Sequence, residues 1–160
     1  MMGDVNLILR GARGGAHAYR ILSEKFEQAR ECMMNREAFQ MEDIELAFPV
    51  VMTQTFSCEL YLKALLTKNN ISYRRTHDLY ELFNCLDENT RAKILHYYKE
   101  ICGTDNDFLV RLQENNIEFS KWRYYFEIDL NKEPGGFHVV DVPFLDDFLV
   151  SLEKTILEIL

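Results

Sequence analysis

Ser57-Cys58-Glu59-Leu60-Tyr61-Leu62-Lys63-Ala64-Leu65-Leu66 decides the fold class. Phe56, Leu60 and Ala64 fall on one helical face, with Tyr61 and Leu65 flanking it, and apolar residues three and four apart are the mark of a packed helix. Glu59 and Lys63 stand four apart inside this apolar run, in the favourable acid-before-base order. Two readings of that pair stay open. One is a surface ion pair worth ~0.3–0.5 kcal/mol. The other is a partly buried lysine that needs several acceptors, because the surrounding segment is apolar on nearly every side.

Outward from this segment the helical period continues through most of the chain. Toward the N-terminus, Tyr19, Leu22, Phe26, Ala29 and Met33 predict one long helix from about His17 to Phe39. The first sixteen residues, with Gly11, Gly14 and Gly15, sustain no period and are expected to form a loose arm. Met41 to Leu46 is acidic and connects to a helix whose first turn holds Pro49, where the missing N–H costs nothing. That helix ends near Lys68 at Asn69-Asn70.

On the other side, the basic Tyr73-Arg74-Arg75 leads to Thr76, an N-cap candidate for a short helix through Leu86, with Asp78 in its first turn. Asp87 to Thr90 caps a helix over Arg91–Cys102, which Gly103 stops. Phe108, Leu109, Leu112, Ile117, Phe119, Trp122, Tyr125 and Phe126 predict a further helix, reaching about Glu127 after a break near Asn115-Asn116. Asn131 to His138, with Pro134-Gly135-Gly136, reads as the long loop, followed by a short extended piece at Val139-Val140. Asp141-Val142-Pro143 caps a final helix carrying Phe144, Phe148, Leu152, Ile156, Leu157 and Leu160 as one stripe. The expected fold is all-α, an up-and-down bundle of five or six helices, with an arm over 1–16 and a single domain over 17–160.

Composition narrows the function. The chain has 160 residues with 48% apolar content, enough for one core and too few for two ordinary domains. Its net charge of −8 and pI near 5 exclude a surface that broadly tracks phosphates, so any nucleic-acid contact is local. No run approaches the ~18 apolar residues of a membrane span, and a cytoplasmic protein without a membrane partner is expected. The cysteines at 32, 58, 85 and 102 show no close pairing and read as free thiols. No Glu-x-x-His pair, His-Glu-x-x-His or glycine-rich phosphate loop is present, so neither metal nor cofactor is expected.

Two further segments carry groups that a core does not need. In Thr76-His77-Asp78-Leu79, the histidine lies at a helix start, where the dipole favours the neutral, proton-accepting imidazole. It suits general acid–base work, and equally a structural bond to a carboxylate. In Trp122-Arg123-Tyr124-Tyr125-Phe126-Glu127, a guanidinium among aromatic rings suits bidentate binding of phosphate, or a core-edge pair with Glu127 or Glu59.

An acidic-x-x-x-Lys helix, a His-Asp-Leu helix start and a Trp-Arg-Tyr helix, in this order over residues 50 to 127, resemble bacterial members of the HEPN superfamily (higher eukaryotes and prokaryotes nucleotide-binding domain). The resemblance implies a dimerising helical bundle. Some members are metal-independent ribonucleases of toxin–antitoxin or phage-defence systems, and others bind RNA or nucleotides without cleaving them. Ligand-binding residues implied here are Glu59, Lys63, His77, Asp78, Arg123 and Tyr124, with His77 and Arg123 catalytic only in a ribonuclease. Partners implied are a second copy, RNA or a nucleotide, and an antitoxin-like protein. The Arg-x4–6-His signature of catalytic members is missing after Arg123. Arg91 with His96, and Arg10 with His17, satisfy its spacing elsewhere. A separate motive for a homodimer is the aromatic surplus of 11 Phe, 8 Tyr and 1 Trp, more than a small bundle readily hides.

Overall fold

Six helices follow one another in the described residues of the computed structural model: α1 (Val5–Met34), α2 (Ala47–Lys68), α3 (Leu79–Cys85), α4 (Glu88–Cys102), α5 (Phe108–Arg123) and α6 (Val142–Ile159). The structure describes residues 4–35, 37, 45–123 and 140–159, with the backbone alone over 116–123. The fold is an all-α bundle.

Helix α2 is its axis, packing against α1, α3, α5 and α6. Leu62, Ala64, Leu65 and Leu66 are wholly buried, each leucine worth about 1.5–3 kcal/mol of transfer free energy. The buried hydroxyls of Thr55 and Ser57 return to the carbonyls of Val51 and Thr53 one turn earlier, so they enter the core satisfied. On the far side of α2, α4 packs against α6. There Phe83, Tyr98, Phe108, Phe144 and Phe148 form one ring cluster, with centroids 4.9 Å apart for Tyr98–Phe108 and 5.1 Å for Phe83–Phe108. Edge-to-face pairs of this kind add ~0.5–1.5 kcal/mol each to simple burial.

The expected loose arm is corrected by α1, which runs unbroken from Val5 and buries Leu9, Ala12 and Ala16. Two of the glycines that obscured its period are contact points. A Cβ on Gly11 would lie 3.1 Å from Leu60 Cδ1, and one on Gly15 only 2.5 Å from Ser57 Oγ. Rising residue numbers on α1 thus meet falling ones on α2, and the two helices lie antiparallel with their backbones close.

Three cap positions agree with expectation and one does not. Pro49 lies in the first turn of α2, Asp87 caps α4 by accepting from Thr90 N, and Gly103 ends α4 at φ 81°. The cap of α3, however, is Asp78 rather than Thr76: Asp78 accepts from Glu81 N, while Thr76 Oγ1 accepts from Asp78 N. The Asp78 carboxylate takes the helix end, and the threonine hydroxyl shapes the turn before it. No break occurs at Asn115-Asn116: the side chain of Asn115 donates to Arg111 O one turn back in α5 and accepts from Asp141 N just before α6. Val140 belongs to no strand. Glu127, the Asn131–His138 loop and Val139 lie outside the described residues. The long first helix ends at Met34. Residues 38–44, which include its expected end at Phe39 and most of the acidic connection, also lie outside.

Of the aromatic side chains among the described residues, Tyr19, Tyr61, Phe83, Tyr98, Phe108, Phe144 and Phe148 are buried in the core. Among the described residues the exposed large apolar side chains are aliphatic or Met, with Phe56 as the one aromatic.

Candidate functional site

Helices α2 and α3 bring Glu59, Lys63 and His77 together. Glu59 projects from the middle of α2 with a side chain only 1% exposed. Lys63, one turn on, reaches back so that Nζ donates to Glu59 Oε1 at 2.6 Å. His77 arrives from the extended turn between α2 and α3, and its Nδ1–H donates to Oε1 and Oε2 of the same carboxylate at 2.9 and 3.1 Å. A carboxylate accepts only, so this contact assigns a proton to Nδ1, and in the neutral ring Nε2 is then the accepting nitrogen. The imidazole is 61% exposed, and Lys63 keeps 17% of its side chain at the surface.

A buried carboxylate with two donors aimed at it is a positioning device. Desolvating the anion costs several kcal/mol unless hydrogen-bonded cations compensate it. The turn before α3 gives His77 its direction: Asp78 caps the helix and Thr76 Oγ1 holds Asp78 N, so the preceding residue is left facing α2. The arrangement presents one ammonium and one accepting imidazole nitrogen at the edge of the bundle. It can hold an anion, and the imidazole can take up a proton.

The other expected site residues are placed as follows. Asp78 spends its carboxylate on the α3 cap. Arg123 is the last residue of α5, a helix that packs against α2 and α3, and only its backbone is described. Tyr124 lies outside the described residues. Arg91 and His96 do not meet: His96 pairs with Glu100 at 3.3 Å, and Arg91 Nε is buried without a partner. Arg10 and His17 both lie on the exposed side of α1. Among the described residues there is no cluster of three or more His, Cys, Asp or Glu that could hold a metal ion, and no helix long and apolar enough to cross a membrane.

Two polar constellations escaped sequence reasoning. Arg111 donates through Nε and Nη2 to Asp141 Oδ2 at 3.1 and 2.6 Å, and through Nη1 to Tyr98 OH at 3.0 Å. It lies over the Phe144 ring at 4.8 Å and so ties α4, α5 and the start of α6. Glu153 accepts from Arg20 at 2.5 Å and Tyr61 at 3.3 Å, joining α1, α2 and α6. Burial and then the charge of Glu153 push the Tyr61 phenol up to about 12. No local spacing announces either group, because their members are far apart in the chain.

No curated protein and no solved structure matches the chain. The sequence profile of the HEPN domain does, over residues 23–120. That span contains Glu59, Lys63, His77 and Asp78 and stops short of Arg123 and Tyr124. An all-α bundle, the pairing of an acid-x-x-x-Lys helix with a His-Asp-Leu turn, and a match over well more than half of its length agree: this chain belongs to the HEPN domain family.

Proposed function

We propose that this chain is a homodimeric module that binds the phosphate of RNA or of a nucleotide and does not cleave it. One observation carries the reading. Lys63 and His77 are fixed on a single buried carboxylate and point their remaining donor and acceptor capacity outward. An ammonium held this way offers an anion a partner whose side-chain entropy is already spent. In this reading Arg123 and Tyr124 complete the ligand contacts, the guanidinium by bidentate bonding to phosphate. Membership of the HEPN family supports nucleotide- or RNA-related work, and the absence of an Arg-x4–6-His signature after Arg123 supports binding over cleavage. A cytoplasmic location and an antitoxin-like partner belong to the same proposal.

The geometry of His77 favours one second reading, a metal-independent ribonuclease. A carboxylate behind Nδ1 leaves Nε2 to accept the proton of a ribose 2′-hydroxyl while that oxygen attacks the adjacent phosphorus. The 5′-oxygen leaves and takes a proton from water, and a 2′,3′-cyclic phosphate remains. Lys63 and Arg123 would neutralise the charge gathering on the phosphorane. Purified protein incubated with mixed RNA and a chelator, beside a His77→Ala/Arg123→Ala variant, separates the two. Binding by the parent, weakened by Lys63→Met and without cleavage, is the expected result. Cleavage by the parent alone establishes the ribonuclease, and absence of both binding and cleavage removes both readings.

A further inference from the structure

Helix α1 turns a second ordered face outward, one that no other described residue of its own chain covers. Leu7, Gly11, Gly14, Ala18 and Ile21 recur at separations of four and three, the seam spacing of paired helices. Leu7 is 68% and Ile21 46% exposed, and Gly11 and Gly14 between them are exposed as well. Gly14 is the informative residue. A Cβ there would meet nothing within 4 Å, so no neighbour among the described residues requires glycine, although glycine inside a helix costs about 1 kcal/mol relative to alanine. Gly11 lies against Leu60, and through it the apolar face continues onto α2 to Phe56, itself 45% exposed.

We propose that a second copy of this chain covers this face, α1 against α1 in antiparallel orientation. The inference rests on the homodimer reading above and names its interface. Shape and charge select the occupant. In the antiparallel seam that sets Gly14 opposite the partner's Ala18, Ile21 falls over the partner's Gly11, while Leu7 lies along the aliphatic stem of the partner's Lys25. The same register brings Arg10 beside the partner's Glu24 on the flank, twice by symmetry. Between Asp4 and Glu24 the helix holds Arg10, Arg13 and Arg20 and no acid. Arg20 is paired with Glu153, whereas neither Arg10 nor Glu24 has an ion-pair partner among the described residues. A parallel pair would set Arg10 beside the partner's Gly15 and Glu24 beside the partner's Ala29, leaving both charges unmet. The face borders Leu60, one turn of α2 from Lys63, so the second copy would wall one side of the candidate site.

Light scattering and sedimentation on the full chain at micromolar concentration test this. The parent is expected at twice the chain mass. Gly14→Gln, which raises helix propensity at an exposed position whose Cβ has no neighbour within 4 Å among the described residues, is expected to be monomeric with unchanged far-ultraviolet circular dichroism. Arg10→Glu is expected to raise the dimer Kd by roughly tenfold or more, and Arg10→Glu/Glu24→Arg to restore it. A parent dimer that persists in Gly14→Gln and Arg10→Glu overturns the α1 seam and leaves the homodimer standing. A monomeric parent overturns both.

Discussion

Glu59 concentrates the electrostatic risk of the candidate site in one carboxylate, since it is almost wholly buried and shares Oε1 between Lys63 and His77. Removing a partner from a buried ion pair leaves an uncompensated charge, and the penalty is ~3–5 kcal/mol where nothing else bonds to it. With the imidazole still in place, Lys63→Met is expected to lower unfolding stability by about 2–3 kcal/mol in urea titrations, and Glu59→Gln/Lys63→Met by clearly less. Equal losses in the two variants would show that the lysine and carboxylate are energetically independent. His77 is mostly exposed, so His77→Ala is expected to cost under about 1 kcal/mol. Tyr61 makes a different residue-scale prediction. Burial raises its phenol to about 12, above the ~10 of an unfolded chain. A raised folded-state value contributes stability that is complete below pH ~10 and is lost as pH rises from there toward ~12. Tyr61→Phe is expected to flatten the alkaline fall in unfolding midpoint, although buried Tyr19 and Tyr98, shifted the same way, keep part of it. An unchanged alkaline slope in Tyr61→Phe would refute the assignment.

At the scale of elements, the contact between α1 and α2 is set by missing side chains. Gly15→Ala would drive a methyl to 2.5 Å from Ser57 Oγ, a hydroxyl already committed to Thr53 O. Overpacking of this kind costs about 1–3 kcal/mol, and Gly15→Ala/Ser57→Ala is expected to recover most of it in thermal melts. No recovery would mean that the helix backbones themselves must separate. The same glycines explain what could be read from the amino acids alone. Stripes of Leu, Phe and Tyr announced α2 and α6, and Asp87 and Gly103 announced the two ends of α4. In α1 the stripe of Leu9, Ala12, Ala16 and Tyr19 is present, but small residues carry little periodic signal and glycine argues locally against a helix, so tertiary packing decided what propensity opposed. The site divides likewise. Glu59 and Lys63 are legible because four residues are one helical turn. The meeting of His77 with Glu59 depends on how α3 folds back on α2, and the Arg111–Asp141–Tyr98 group needs three elements to converge.

For the whole molecule, charge sets the limit on how RNA or a nucleotide can be held. Eighteen Lys and Arg face 26 Asp and Glu, and many described cations already have a carboxylate partner: Arg20, Arg30, Arg74, Lys93, Lys99, Arg111 and Lys154, besides Lys63 on Glu59. A protein of this balance repels a polyanion at long range and attracts it only where cations are locally in excess. If Lys63 and Arg123 are the cations that meet phosphate, about two counterions are displaced from a single strand, and each contributes ~0.7 to the slope of log K against log salt. Titration of a labelled RNA at several salt concentrations is therefore expected to give a slope near −1.4 at a pH where His77 is neutral. Lys63→Met should bring it to about −0.7. A slope of roughly −4 or steeper would require several further cations and would move the contact to the Arg10, Arg13 and His17 side of α1, whereas a slope near zero would mean that no phosphate is bound and that the cluster around Glu59 serves the bundle alone.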